Sequence, residues 1–182
     1  LQRYWQRAAT RQVGKAGSHC QISVVALLTE AENRTLDCSK RYYMKTLIAD
    51  LPKHITQALE IADNTPFKAT DKTIQNVLIT GLGGSGIGGT IVAELMSGSC
   101  TVPVTVNKNY HLPAFVGENT LVIANSYSGN TEETLAALDE ALQRGAEVAI
   151  ATSGGRAKEI AEEKALNHFV VPGGNPPRSM LG

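Results

Sequence analysis

Three hydroxyl side chains, Ser126, Ser128 and Thr131, fall close together in the stretch Ser126-Tyr127-Ser128-Gly129-Asn130-Thr131-Glu132-Glu133-Thr134. An apolar run, Leu121 to Asn125, precedes it, and an amphipathic run, Leu135 to Gln143, comes after it. A strand that enters such a turn and then a helix sets Ser and Thr donors beside helix N–H groups that lack intrahelical partners. That arrangement binds anions, phosphate above all, because the start of a helix carries about half a unit of positive charge. A plain helix cap needs less: one Ser or Thr with a suitable residue three positions on, as in Ser128 with Thr131 or Thr131 with Thr134. The surplus of hydroxyls favours phosphate, with Gly129 letting the backbone approach closely. Capping stays open as the alternative.

A second turn could share the work. Gly81-Leu82-Gly83-Gly84-Ser85-Gly86 satisfies the G-x-G-x-x-G spacing of a dinucleotide site, a weak signal by itself. An NAD site wants an acid about 20 residues on, and that region reads Val106-Asn107-Lys108-Asn109 instead. Lys108 could meet an NADP phosphate, so an NADP-dependent oxidoreductase remains as an alternative. A nucleoside-triphosphate P-loop needs Lys before its Ser or Thr, and Gly89-Thr90 lacks it. What is left is a glycine turn whose N–H groups, with Ser85 Oγ, could face a sugar ring or a phosphate.

The elements that must position these turns alternate. Apolar spacing predicts a helix over Leu51 to Ala62, with Pro52 in its first turn, Asp50 as cap and His54 on its polar side. Strands are predicted at Asn76–Thr80, Thr101–Val106, Thr120–Asn125, Ala146–Ala151 and His168–Val171. Pro103 consigns the second to a sheet edge. Helices are expected after the glycine turn through Ile91 to Met96, over Leu135 to Gln143 with a C-cap at Arg144-Gly145, and over Arg156 to Ala165. Strands alternating with helices imply an α/β, three-layer α/β/α sandwich with a five-stranded parallel sheet. Right-handed crossovers allow the order 2-1-3-4-5, and ligands in such sheets bind where that order reverses, beyond the carboxyl ends of strands one and three. Both candidate turns come directly after those two strands, so they should face one crevice.

Composition narrows the classes. The chain has 182 residues, zero formal charge and 42% hydrophobic residues, which suits one α/β domain rather than a basic nucleic-acid binder. No apolar run approaches the roughly 20 residues of a membrane span, so neither nucleic acid nor membrane is expected as a partner. Cys20, Cys38 and Cys100 are odd in number and lack zinc spacing, suiting free thiols in a reducing cytoplasm. Asn33-Arg34-Thr35 matches a glycosylation acceptor without a secretory signal. Residues 1–43 lack sustained periodicity and hold 7 basic against 3 acidic residues, and Met44 reads like a natural start. Residues 1–43 are therefore expected to be a non-native or disordered extension, or a basic arm, with the domain in 44–182. The Gly/Pro-rich end suggests a fragment of a longer protein. Glu132 and Glu133 suit the macrodipole of a helix start, and His111 reads as a solvated loop residue.

Three segments together resemble the sugar isomerase (SIS) domain, most closely the amino-terminal half of bifunctional phosphoglucose/phosphomannose isomerases. They are Gly81-Leu-Gly-Gly-Ser-Gly-Ile-Gly-Gly89, the Ser126 to Thr134 stretch, and Gly173-Gly-Asn-Pro-Pro-Arg-Ser-Met-Leu-Gly182. The third is more specific to the bifunctional branch. The resemblance implies reversible aldose–ketose isomerisation of a hexose 6-phosphate, without metal or organic cofactor, in a homodimer whose subunit holds two such domains. It implies that Ser126, Ser128 and Thr131 hold the phosphate, that Gly84 and Ser85 contact the sugar, and that Arg178 stands near the reacting atoms. The family's Glu base, ring-opening His and assisting Lys lie in the second half of the polypeptide, beyond Gly182, so the piece alone should not turn over substrate. Such a domain can also serve as a phosphosugar-sensing module of a regulator.

Overall fold

The computed structural model describes residues 45–175, and the compact unit that carries the sheet begins at Ile48. The expectations for residues 1–43, for Cys20 and Cys38, and for Arg178 lie outside the described residues. In chain order the elements are α1 Leu51–Asn64, β1 Asn76–Thr80, α2 Gly83–Met96, β2 Val104–Asn107, β3 Thr120–Ser126, α3 Glu132–Gln143, β4 Glu147–Thr152, α4 Gly155–Glu163 and β5 Asn167–Val170.

The five strands form one parallel sheet in the order β2-β1-β3-β4-β5. The expected topology is therefore the observed one, with β1 and β3 adjacent at the reversal. Strand β2 lies at the edge, as Pro103 requires, and it starts only after that proline, whose carbonyl accepts the Val77 N–H at 2.8 Å. Strand β1 spans the residues predicted for it, while the end of β3 and both ends of β4 and β5 shift by one residue, because hydrogen-bonded register rather than the apolar run sets them.

The core sits between the sheet and helices α3 and α4. Leu78, Val122 and Ile150 from three neighbouring strands are almost wholly buried against Ala137, Leu138, Ala141, Ala157 and Ala161. Small residues on the inner helix faces let both helices lie close to the strands. Leu138 alone, fully buried, contributes about 2 kcal/mol of hydrophobic stabilisation. Helix α3 ends as its Arg144-Gly145 signal predicts: Gly145 has φ +70°, its N–H bonds Leu142 O, and Ala146 N–H bonds Ala141 O. Helix α4 closes in the same pattern with Ala165 at φ +52° in the glycine position.

The link from β2 to β3 has no regular helix, and Arg144 organises it. Its guanidinium donates to Pro113 O at 2.8 Å and to Glu140 Oε1 at 2.5 Å, while Leu112 N–H donates to Glu140 Oε2 at 2.9 Å. The Leu112 N–H bond, then the Arg144 guanidinium, holds the Glu140 carboxyl below its ordinary range.

Two expectations are corrected. Asp50 does not cap α1 through its side chain, which instead accepts from Lys53 Nζ at 2.7 Å; its backbone carbonyl takes the Lys53 and His54 amides. His54 does not stand on the exposed polar side expected for it: it is half-buried with Ala58 and Ile61, while the apolar Leu51, Ile55 and Leu59 are 39%, 46% and 62% exposed. Periodicity found a face, but nothing among the described residues covers it. Helix α2 likewise exposes Ile87, Ile91, Val92 and Leu95. No helix of the described residues is long and apolar enough to cross a membrane.

Candidate functional site

The carboxyl ends of β1 and β3 lie side by side, and the two turns beyond them are bonded together. Tyr127 N–H donates to Ser85 Oγ at 3.3 Å, and Asn125 Nδ2 donates to Ser85 O at 3.0 Å. Ser85 and the Ser126–Thr131 turn thus share one crevice edge, as the strand order demanded. The Asn125 Oδ1 atom is buried without a hydrogen-bond partner.

The glycine turn departs from expectation in one respect. Helix α2 starts at Gly83, so Gly84 and Ser85 belong to its first turn rather than to a loop. Close packing explains the glycines: a Cβ on Gly86 would stand 2.6 Å from Gly81 O, and one on Gly89 would stand 2.8 Å from Ile79 Cγ2. The helix is pressed onto its own strand, which aims its first N–H groups at the crevice. Ser85 is buried and Gly84 half-buried. Lys108, at the end of β2, brings its Cε within 3.5 Å of the position a Gly86 Cβ would take. Asn107 before it is buried, with Nδ2 donating to Asn109 O at 2.9 Å.

The second turn is built by its own hydroxyls. Ser126 Oγ, nearly inaccessible, donates to Thr131 Oγ1 at 3.0 Å, and Ser128 Oγ, on an exposed residue, accepts from Asn130 N–H at 3.2 Å. Thr131 occupies the N-cap position of α3 yet makes no side-chain cap bond. Neither capping arrangement read from the sequence is formed. Leu82, the N-cap of α2, has no side chain able to cap.

Helix α4, which also starts at this edge, is different. Asn130 Oδ1 accepts the Arg156 N–H at 2.9 Å, and Gly129 O accepts the Ala157 N–H at 2.9 Å. The β3–α3 turn therefore occupies the α4 start, while the starts of α2 and α3 keep their N–H groups without side-chain caps. Those two flank the reversal of strand order, where an anion gains from both helix ends at once. Gly129, at φ +67°, fits only because it lacks a Cβ, which would stand 2.8 Å from Thr152 Oγ1 and closer still to Gly154 O.

The sequence did not single out Asn130, Thr152, Ser153 or Tyr127, all of which fix this edge. An Asn inside a hydroxyl-rich turn was the available signal for the first. The flanking charges are Glu132 and Glu133 in the first turn of α3; burial, then Glu133 and Glu132, raises the Tyr110 phenol above its ordinary range. His111 is a solvated loop residue, its side chain 94% exposed and 4.0 Å from Glu140. A separate open groove of about 550 Å³ lies on the β5 side of the unit, lined by Thr65, Pro66, Lys68, Ala161, Asn167 and Phe169 among others. None of the singled-out turn residues lines it.

No protein-family model matches the chain. It is 45% identical over 135 residues to a bifunctional phosphoglucose/phosphomannose isomerase of Caldicellulosiruptor bescii, covering 74% of this chain and 40% of that protein. It is 49% identical over 110 residues to the protein of the same name from Thermoplasma acidophilum, covering 60% of this chain and 33% of the relative. The chain thus spans between 33% and 40% of the length of these relatives. Among solved structures, a candidate phosphosugar isomerase of Clostridium difficile 630 superposes with a TM-score of 0.56 at 22% identity, over 64% of this chain and 35% of that one. By sequence the chain is a relative of the bifunctional phosphoglucose/phosphomannose isomerases, and its five-stranded unit has the fold of a sugar isomerase (SIS) domain.

Proposed function

We propose that this chain is the phosphosugar-binding SIS domain of a cofactor-independent isomerase. The enzyme interconverts glucose 6-phosphate or mannose 6-phosphate with fructose 6-phosphate through a cis-enediol(ate). The observation that carries the reading is the bonded pair of turns at the β1/β3 reversal, with two helix starts free of side-chain caps. Ser126, Ser128 and Thr131 hold the phosphate there, and Gly84 and Ser85 contact the sugar. Anchoring the phosphate supplies binding free energy and orientation away from the reacting carbons.

Arg178 takes the role the resemblance implies, a guanidinium that stabilises negative charge developing on the enediolate oxygens. Moving a proton between C1 and C2 needs a base of suited pKa, which the resemblance assigns to the second half of a longer polypeptide. The domain is taken to be residues 44–182, with residues 1–43 an extension. The exposed apolar faces of α1 and α2 support assembly, and a homodimer of the full-length protein in the cytoplasm is the proposed working form.

Calorimetric titration of the chain with glucose 6-phosphate, fructose 6-phosphate and NADP tests the reading, alongside an isomerase assay of the full-length gene product. Hexose 6-phosphate binding with isomerisation by the full-length protein is expected. Binding without turnover in the full-length protein would mean a sensing module. Preferential NADP binding would mean an oxidoreductase using Lys108.

A further inference from the structure

Two buried polar groups at the β1/β3 reversal are incompletely bonded, and they touch each other. Ser85, 7% exposed, accepts the Tyr127 N–H at its Oγ, yet no described residue accepts its own O–H. A hydroxyl used only as an acceptor has a proton left to give. Asn125 lies against it from the end of β3. Its Nδ2 donates to Ser85 O at 3.0 Å, and its Oδ1 is buried with no partner. Turning the amide over would not satisfy that atom, because two acceptor oxygens would then face each other.

The contact adds little to the fold. Ser85 belongs to α2, so helix geometry already gives its carbonyl the N–H four residues on, and Asn125 supplies only a second bond. Against that bond stands Oδ1, desolvated and unpaired, which costs at least as much as an ordinary hydrogen bond returns. A leucine, close to asparagine in shape, would fill the place with neither. What the amide does supply is position. Leu82 makes no cap bond, and Gly83 and Gly84 have no side chains to pack. The first turn of α2 is therefore hydrogen-bonded to the end of β3 through Ser85, at its carbonyl by Asn125 and at its Oγ by Tyr127.

We propose that Asn125 is a positioning residue: it holds Ser85 so that the unused Ser85 O–H meets an oxygen of the bound phosphosugar. This rests on the phosphosugar reading above and deepens it. Two bonds to one residue fix its backbone and its hydroxyl together, so less ordering remains when the ligand arrives. An amide kept at a loss to stability is what such a role requires.

The test uses the whole 182-residue chain, because a structural contact and a positioning residue predict different signs. Asn125→Leu should leave the urea midpoint equal or higher. It should nonetheless weaken glucose 6-phosphate binding by about tenfold. The Tyr127 N–H should exchange about three- to tenfold faster as Ser85 loosens, while the amides of Val122 and Ile150 in the sheet keep their rates. Asn125→Ala, which removes the amide without any risk of overpacking, should show the same loss of affinity and the same exchange. Combining Asn125→Leu with Ser85→Ala should weaken binding no further than Ser85→Ala alone.

A lower midpoint in both Asn125 variants, with exchange quickened throughout the sheet, would make the residue a structural contact and overturn the proposal. An additive double variant would do the same. If the unsubstituted chain does not bind glucose 6-phosphate, the phosphosugar reading falls and this role falls with it. If the unsubstituted chain binds and both Asn125 variants bind equally well, the role alone falls.

Discussion

Substituting Gly129 tests how tightly the phosphate turn is built against its neighbour. Gly129 sits at φ +67°, a left-handed conformation that costs an L-residue about 1–2 kcal/mol. Its added Cβ would lie 2.8 Å from Thr152 Oγ1 and would collide with the Gly154 carbonyl oxygen. That oxygen is backbone and already accepts from Thr152 Oγ1, so it has little freedom to retreat. Overpacking of this kind adds about 1–3 kcal/mol, giving about 2–5 kcal/mol in all for Gly129→Ala. Gly145→Ala is the matched control. Its φ of +70° carries the same conformational cost, but its nearest neighbour is the flexible Glu118 side chain at 3.3 Å. Urea denaturation of both variants isolates the collision as the difference, about 1–3 kcal/mol. Gly129→Ala should also lose glucose 6-phosphate binding, whereas Gly145→Ala, at the far end of α3, should keep it. Equal destabilisation by the two substitutions would refute the claim that the turns after β3 and β4 are in contact through Gly129.

Single contacts lead to three more expected outcomes. Ser128→Ala removes an exposed hydroxyl that accepts one local N–H, so stability should change by no more than about 1 kcal/mol. Its glucose 6-phosphate affinity should nonetheless fall by about tenfold or more, since hydrogen bonds to a charged group are the stronger kind; equal affinity would remove Ser128 from the site. Ala165→Gly relieves a left-handed residue just after the α4 C-cap, Lys164, and should raise stability by about 1 kcal/mol, read as a higher urea midpoint. Glu140 has a folded pKa below its ordinary 4.5, so its contribution is present above that value and is lost as pH falls through the folded one. Glu140→Gln should be less stable at pH 7 and show a flatter loss of stability below about pH 4; parallel pH curves would contradict the assigned partners.

The sheet was legible because its strands read as short apolar runs, β3 with one face buried and the other half-buried, and because Pro103 marked its own strand as an edge. The two crevice turns came out of that order without further information. Helix α2 was harder. Six glycines from Gly81 to Gly89 look like a loop by propensity, and the helix forms there because a glycine face can press onto β1. On α1, periodicity located Leu51, Ile55 and Leu59 as one face but could not say whether that face meets the sheet; His54 and Ala58 are turned further inward. Tyr127 was invisible for a different reason. A lone aromatic residue in a turn has no period, and its partners Ser153, Pro172 and Asn175 lie 26, 45 and 48 positions away. Only the folded chain brings them together.

The central claim is that one phosphoryl group is held between the starts of α2 and α3. Backbone NMR of the chain titrated with glucose 6-phosphate tests it most directly. Shifts concentrated at the amides of Gly84, Ser85 and Ser128 through Thr134 are predicted. Shifts confined to the groove around Lys68 and Asn167, or no shift at millimolar ligand, would contradict it.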